Sequence, residues 1–136
     1  MKNCLNCNKK LKSYQNKYCS NSCQAKNQQK EYIKNWQNKN LNGSRGLVTK
    51  NISNYLRNYL EEKFNNKCCL CGWDQINIVT GKVPLEVDHI NGNSEDNSES
   101  NLRILCPNCH SLSSNFRNLN KGKGRTWRTK KYLKTT

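Results

Sequence analysis

The chain is short of acid, of histidine and of apolar side chains. Its 136 residues hold 9 Asp and Glu against 24 Lys and Arg, only 2 histidines, and a hydrophobic fraction of 33%. So thin an apolar supply in so short a chain excludes a large buried core and allows one domain or two very small ones. No apolar run approaches the roughly 18 residues of a membrane helix, and Met1-Lys2-Asn3-Cys4 opens no signal-peptide core, so membrane and secretory classes are set aside. Cysteine, by contrast, is abundant at 9. Without an export signal, these thiols are expected on metal rather than in disulfides.

Charge is unevenly placed. Residues 1–60 carry 12 basic and 1 acidic side chain, residues 61–110 carry 4 and 8, and residues 111–136 carry 8 and none. Two basic flanks around an acidic centre point to arms that hold a polyanion while the middle binds cations. Abundant Asn and Lys fit an AT-rich source such as a phage genome.

Cys4-Leu5-Asn6-Cys7 is followed after eleven residues by Cys19-Ser20-Asn21-Ser22-Cys23. Two short chelating pairs joined by a loop supply the four soft ligands of a tetrahedral zinc site. A helix is predicted from Asn21 or Ser22 to about Asn38, with Ala25, Tyr32, Ile33 and Trp36 as a weak apolar stripe. Lys26, Lys30 and Lys34 recur every four residues on another face, either as a solvated surface or as a phosphate-tracking ridge. Residues 41–48, with Gly43 and Gly46, read as a linker. A second helix is predicted with Thr49 near its N-cap, because Ile52, Tyr55, Leu56, Tyr59, Leu60 and Phe64 make an amphipathic core stripe.

Cys68 and Cys71 form a third close pair, Cys106 and Cys109 a fourth. Between them lie a predicted strand, Leu85 to Ile90, a polar loop, Asn91 to Ser100, and a second strand, Asn101 to Leu105. Pro107 suits the first turn of a helix reaching about Arg117 and bearing His110. Cys69 is surplus to both ligand sets and is expected as a small buried residue. Glu95, Asp96 and Glu99 lack regular ligand spacing and read as a solvated loop. The tail from Asn118, with Lys121, Lys123, Arg125, Arg128, Lys130 and Lys131 around Trp127 and Tyr132, is too polar to fold alone and reads as a basic arm.

Both histidines fall inside this hairpin–helix segment. Asp88-His89 closes the first strand, Asn101 opens the second, and His110 follows the last close pair. The text Cys68-x-x-Cys71-Gly72, Leu85-Glu86-Val87-Asp88-His89-Ile90 and Asn101-Leu102-Arg103-Ile104-Leu105-Cys106-Pro107-Asn108-Cys109-His110 resembles the HNH endonucleases, nearest the small phage-encoded and homing-type members. The resemblance spans about residues 50 to 125, with an added zinc finger before it.

It implies a small α+β fold: a zinc-stabilised ββα-metal, treble-clef-like core with flanking basic helices and an N-terminal finger. The domains would be 1–40 (finger and basic helix), 49–117 (nuclease) and 118–136 (arm). It further implies a DNA endonuclease leaving 5′-phosphate and 3′-hydroxyl ends by a one-metal mechanism. His89 would be the general base, Asp88 and His110 ligands of Mg²⁺ or Mn²⁺, and Asn101 the residue tying the loop to the hairpin. An imidazole suits the base because it takes a proton near neutral pH, and a divalent ion suits the leaving 3′ oxygen because it neutralises developing charge. Cys68, Cys71, Cys106 and Cys109 would hold one structural zinc; Cys4, Cys7, Cys19 and Cys23 a second. Lys26, Lys30, Lys34, Arg103, Arg117, Lys121, Lys123 and Arg125 are the expected DNA contacts. The partner would be intracellular, cytoplasmic DNA, with neither membrane nor small-molecule substrate, and with monomer or homodimer left open. The competing class is a non-catalytic zinc-finger protein that binds nucleic acid.

Overall fold

The computed structural model describes residues 1–46, 51–116 and 119. The chain divides into two compact units, Met1–Leu41 and Asn42–Thr136.

The first unit opens on a tight turn around Cys4 and Cys7. The Cys4 amide donates to the Lys9 carbonyl at 2.8 Å, and the Asn8 amide to that of Cys4 at 2.9 Å. Asn8 closes the turn at φ 61°, a left-handed conformation that asparagine tolerates better than most residues. Helix α1 then runs Asn21–Gln37, starting where Ser20 accepts a hydrogen bond from the Cys23 amide through its side chain. Ile33 and Trp36 are its buried residues. Lys26, Lys30 and Lys34 are all exposed. Lys30 Nζ also donates to Asn6 Oδ1 at 3.1 Å, tying the helix to the cysteine turn.

In the second unit, helix α2 spans Asn54–Lys63, with the Ser53 side chain accepting from the Leu56 amide. The N-cap expected near Thr49 lies outside the described residues, and the helix starts later than the apolar stripe suggests. Ile52 instead forms an isolated antiparallel bridge with Ser44. The Ser53 amide donates to Gly43 at 2.9 Å, so its backbone closes a loop before turning helical. Residues 43–45 are thus folded back on 51–53, which departs from a free linker. Leu56 and Leu60 are fully buried, whereas Tyr55 is exposed.

Strands β1 (Glu86–His89) and β2 (Leu102–Leu105) form a two-stranded antiparallel sheet. The register pairs Glu86 with Leu105, Asp88 with Arg103 and His89 with Leu102. A 3₁₀ turn, Glu99–Asn101, leads into β2. Helix α3 covers Pro107–Ser111 only, shorter than the run to Arg117 that Pro107 suggests; Leu112 caps it, and Arg117 is outside the described residues. Helix α2 packs on β2, and α3 packs on both strands. Leu56, Leu60, Leu85, Leu102, Ile104 and Leu105 make the core, beside Cys68 and Cys106. This is the small α+β arrangement expected. Among the described residues, no helix is long and apolar enough to cross a membrane.

Candidate active site

Two sets of four cysteines converge: Cys4, Cys7, Cys19 and Cys23 in the first unit, Cys68, Cys71, Cys106 and Cys109 in the second. Within each set all sulfurs lie within 4.8 Å of one another. The recorded separations are 3.6 Å for Cys7–Cys19, 3.5 Å for Cys19–Cys23 and 3.7 Å for Cys71–Cys106. Zn–S bonds of about 2.3 Å in a tetrahedron require sulfurs about 3.8 Å apart, so both sets fit a structural zinc with no open position.

The local folding is the same at both. The turn at Cys68 repeats that at Cys4: the Cys68 amide donates to Trp73, and the Gly72 amide back to Cys68, with Gly72 at φ 76°. The other pair sits in each case at a helix start, Cys19 and Cys23 at α1, Cys106 and Cys109 at α3. Backbone amides, that of Cys7 foremost, hold the Cys4 thiol down at about 6 against the opposing effect of burial. Burial raises the Cys68 thiol, yet the amides of Cys106, Cys71 and Leu70 outweigh it and bring it to about 6. Neighbouring sulfurs push Cys19 (Cys23, then Cys7) and Cys109 (Cys71, then Cys106) up to about 12. Cys23 is also lowered, by side-chain hydrogen bonds foremost, and Cys71 is raised. Thiolate character therefore falls on Cys4 and Cys23 in the first set and on Cys68 in the second. A cation held among the sulfurs would favour deprotonation of the others. Cys69 belongs to neither set, but it is exposed where a small buried residue was expected. Its amide takes up the Ile104 carbonyl at 3.0 Å, leaving the side chain at the surface.

The zinc-type set in the second unit joins the approach to β1 with the start of α3, and so fixes His110 against the hairpin. Asp88 is 6% exposed. Its Oδ2 accepts from Arg103 Nε at 2.7 Å, directly across the sheet. Its Oδ1 lies 3.8 Å from His110 Nε2. Bonds of about 2.1 Å from each atom span up to about 4.2 Å, so one divalent cation fits between these two donors. A carboxylate oxygen and an imidazole nitrogen are donors that a Mg²⁺- or Mn²⁺-type ion accepts. On its other side His110 Nδ1 meets Glu86 Oε2. Phe116 stands edge-on to the ring, with centroids 5.3 Å apart. Glu86 is two residues before Asp88 and shares its face of the strand.

His89, the next residue along β1, turns the other way. Its Nε2 lies 2.8 Å from Asn97 Oδ1. Asn101 is buried and holds the intervening loop closed: its Oδ1 accepts from the Asn91 amide at 2.9 Å. Its Nδ2 donates to Asn91 Oδ1 at 2.9 Å and to the Asp96 carbonyl at 2.8 Å. The Asn101 carbonyl in turn accepts from the Ile90 amide at 2.8 Å. Asp96 is held below the usual carboxylate range by hydrogen bonds from Ser98, first its side chain and then its amide. Glu99 is braced by Tyr59 Oη at 2.6 Å and Lys63 Nζ at 3.1 Å. Neither carboxylate is in a ligand group among the described residues.

Asp88 and His110 are therefore brought together on one face of the hairpin, whereas Asn101 contacts Asn91 and Asp96 in the loop between the strands and His89 turns to Asn97. Arg103, expected at a phosphate, is half-buried with its Nε on Asp88. Arg117, Lys121, Lys123 and Arg125 lie outside the described residues. Sequence reasoning gave no role to Glu86, although period-two alternation in β1 already placed it beside Asp88. It also missed Asn97, whose part depends on a contact with Asn42, 55 residues away.

Residues 68–116 match the HNH endonuclease family. The chain is similar to the H-N-H endonuclease F-TflIV of Escherichia phage T5, 38% identical over 58 residues, covering 43% of this chain and 25% of that protein. It is also similar to the Zorya protein ZorE of Escherichia coli, 38% identical over 72 residues, covering 48% of this chain and 19% of that protein. The chain spans a quarter or less of the length of these curated relatives. No solved structure gives a significant match. The second unit thus contains an HNH endonuclease domain at residues 68–116.

Proposed function

We propose, from the HNH endonuclease domain at residues 68–116, that the chain is a metal-dependent DNA endonuclease that hydrolyses phosphodiester bonds and leaves 5′-phosphate and 3′-hydroxyl ends. The observation that supports it best is the division of labour along β1. Asp88 Oδ1 and His110 Nε2 face each other across 3.8 Å on one face, while His89 projects from the other. Asp88 and His110 are the cation ligands, and His89 is the general base that takes a proton from the attacking water. Asp88 Oδ1 and His110 Nε2 would hold Mg²⁺ or Mn²⁺, which would supply charge neutralisation at the leaving 3′ oxygen. Arg103 occupies Asp88 Oδ2 and so leaves Oδ1 for the ion. Glu86 accepts from His110 Nδ1–H, which turns the Nε2 lone pair towards Asp88. Asn101 holds the loop that follows His89.

The Lys26, Lys30 and Lys34 row and the basic residues beyond 116 are the proposed backbone contacts, in keeping with the charge of +15. DNA within the cell, in the cytoplasm, is the substrate. Supercoiled plasmid incubated with zinc-loaded protein tests this. Nicked or linear DNA should appear only with Mg²⁺ or Mn²⁺, and its ends should be religated by DNA ligase without phosphorylation. Cleavage in excess EDTA, or ends refractory to ligase, would refute the proposed mechanism.

A further inference from the structure

The amide of Asn97 is buried, 8% exposed, in the loop that follows β1. Its Nδ2 lies 2.9 Å from the backbone carbonyl of Asn42. A carbonyl oxygen only accepts, so the NH₂ group must face Asn42, and the amide cannot be turned over without setting two oxygens against each other. The opposite end, Oδ1, then faces His89 Nε2 at 2.8 Å, and it too only accepts. The proton of the neutral His89 ring is therefore on Nε2, and the lone pair is on Nδ1. Among the described residues, Nδ1 of His89 makes no hydrogen bond.

The other histidine is set the opposite way. Its Nδ1 meets the Glu86 carboxylate, which puts the proton there and leaves Nε2 as the lone-pair donor towards Asp88. Two different acceptors thus hold the two imidazoles in opposite tautomers, one suited to proton abstraction and the other to metal ligation.

We infer that Asn97 is a positioning residue for catalysis: anchored on the Asn42 carbonyl, it fixes His89 as the Nε2–H tautomer and presents Nδ1 as the atom that receives the water proton. The inference rests on the reading of His89 as the base. It also assigns a task to the segment before α2. The Asn42 carbonyl, next to the backbone pairing of residues 43–45 with 51–53, is the end of the relay that orients the ring.

The test uses the full zinc-loaded chain. With only two histidines, a long-range ¹H–¹⁵N ring spectrum contains two imidazoles, told apart by the signals lost in His89→Ala. At about pH 8.5, where an ordinary imidazole is neutral, His89 should show a protonated Nε2 and a bare Nδ1, and His110 the reverse. In single-turnover plasmid cleavage with Mn²⁺, Asn97→Ala should slow the reaction by about 10- to 100-fold, part of the factor a positioned base contributes, at unchanged DNA affinity. In Asn97→Ala the His89 ring should also lose its preference for the Nε2–H form in the same spectrum, a change that a merely structural role for the amide would not produce. A wild-type His89 protonated on Nδ1 overturns the inference, as does an Asn97→Ala rate within twofold of wild type. The ring assignment needs no cleavage, so a wild-type chain that cuts nothing overturns the nuclease reading separately. Should Asn97→Ala fail to fold, the wild-type tautomer still decides.

Discussion

Arg103 separates two accounts of the site, because it is either the brace of Asp88 or a hand on the DNA. Its Nε donates to Asp88 Oδ2 at 2.7 Å, with the side chains 23% and 7% exposed. Replacing Arg103 by Leu keeps an aliphatic stem in β2 and leaves a nearly buried carboxylate without its cation. Breaking a fully buried pair costs about 3–5 kcal/mol, and losing a hydrogen bond to a charged group about 1.5–3 kcal/mol. Partial exposure of the guanidinium places this pair near the lower range, at about 2–3 kcal/mol. For a unit of this size that lowers the melting temperature by about 10–20 °C. Thermal melts at fixed zinc, with and without Mn²⁺, read it directly. Added Mn²⁺ should recover more stability in Arg103→Leu than in wild type, because the ion then replaces the positive charge that Asp88 has lost. A role in gripping phosphate predicts something else: a melting temperature within about 3 °C of wild type, and a salt dependence of DNA affinity whose slope falls by about 1. That second result would refute the bracing argument.

Metal analysis of the purified chain should find two zincs. Cys4→Ser should remove one of them and leave the second unit folded, whereas Cys106→Ser should unfold the second unit, because its small core would lose the metal set that ties α3 to the hairpin. Glu86→Gln keeps an oxygen near His110 but loses the negative charge, and it should weaken Mn²⁺ binding, followed by calorimetry, by about 10- to 100-fold. Asn101→Ala deletes three side-chain hydrogen bonds that close the 91–101 loop. At about 1 kcal/mol each it should cost about 2–3 kcal/mol, seen in denaturant melts and as faster amide exchange at Asn91.

Much of the fold is legible from the order of residues because the informative contacts are short-ranged or chelating. Cys4 to Cys7 and Cys68 to Cys71 announce their turns by spacing alone, and Pro107 marks the start of α3. The start of α2 is less legible: Ile52 continues the helical apolar period, yet its backbone is engaged by Ser44, a pairing that periodicity does not encode. Cys69 was misplaced for a similar reason, since its amide and not its thiol is used by β2. Asp88 and His110 meet because the four-cysteine set draws α3 to the hairpin, and spacing displays those cysteines. Glu86 was open to the same reasoning through strand alternation. The Asn97–Asn42 contact was not: it joins residues far apart in the chain through an amide and a backbone carbonyl, neither of which has a sequence signature.

Cleavage of supercoiled plasmid in Mn²⁺ by wild type and by His89→Ala, with DNA affinity measured alongside, tests the nuclease account most directly. The account predicts that His89→Ala binds DNA as wild type does and cuts it at least about 100-fold more slowly. Equal cutting by the two proteins would contradict it.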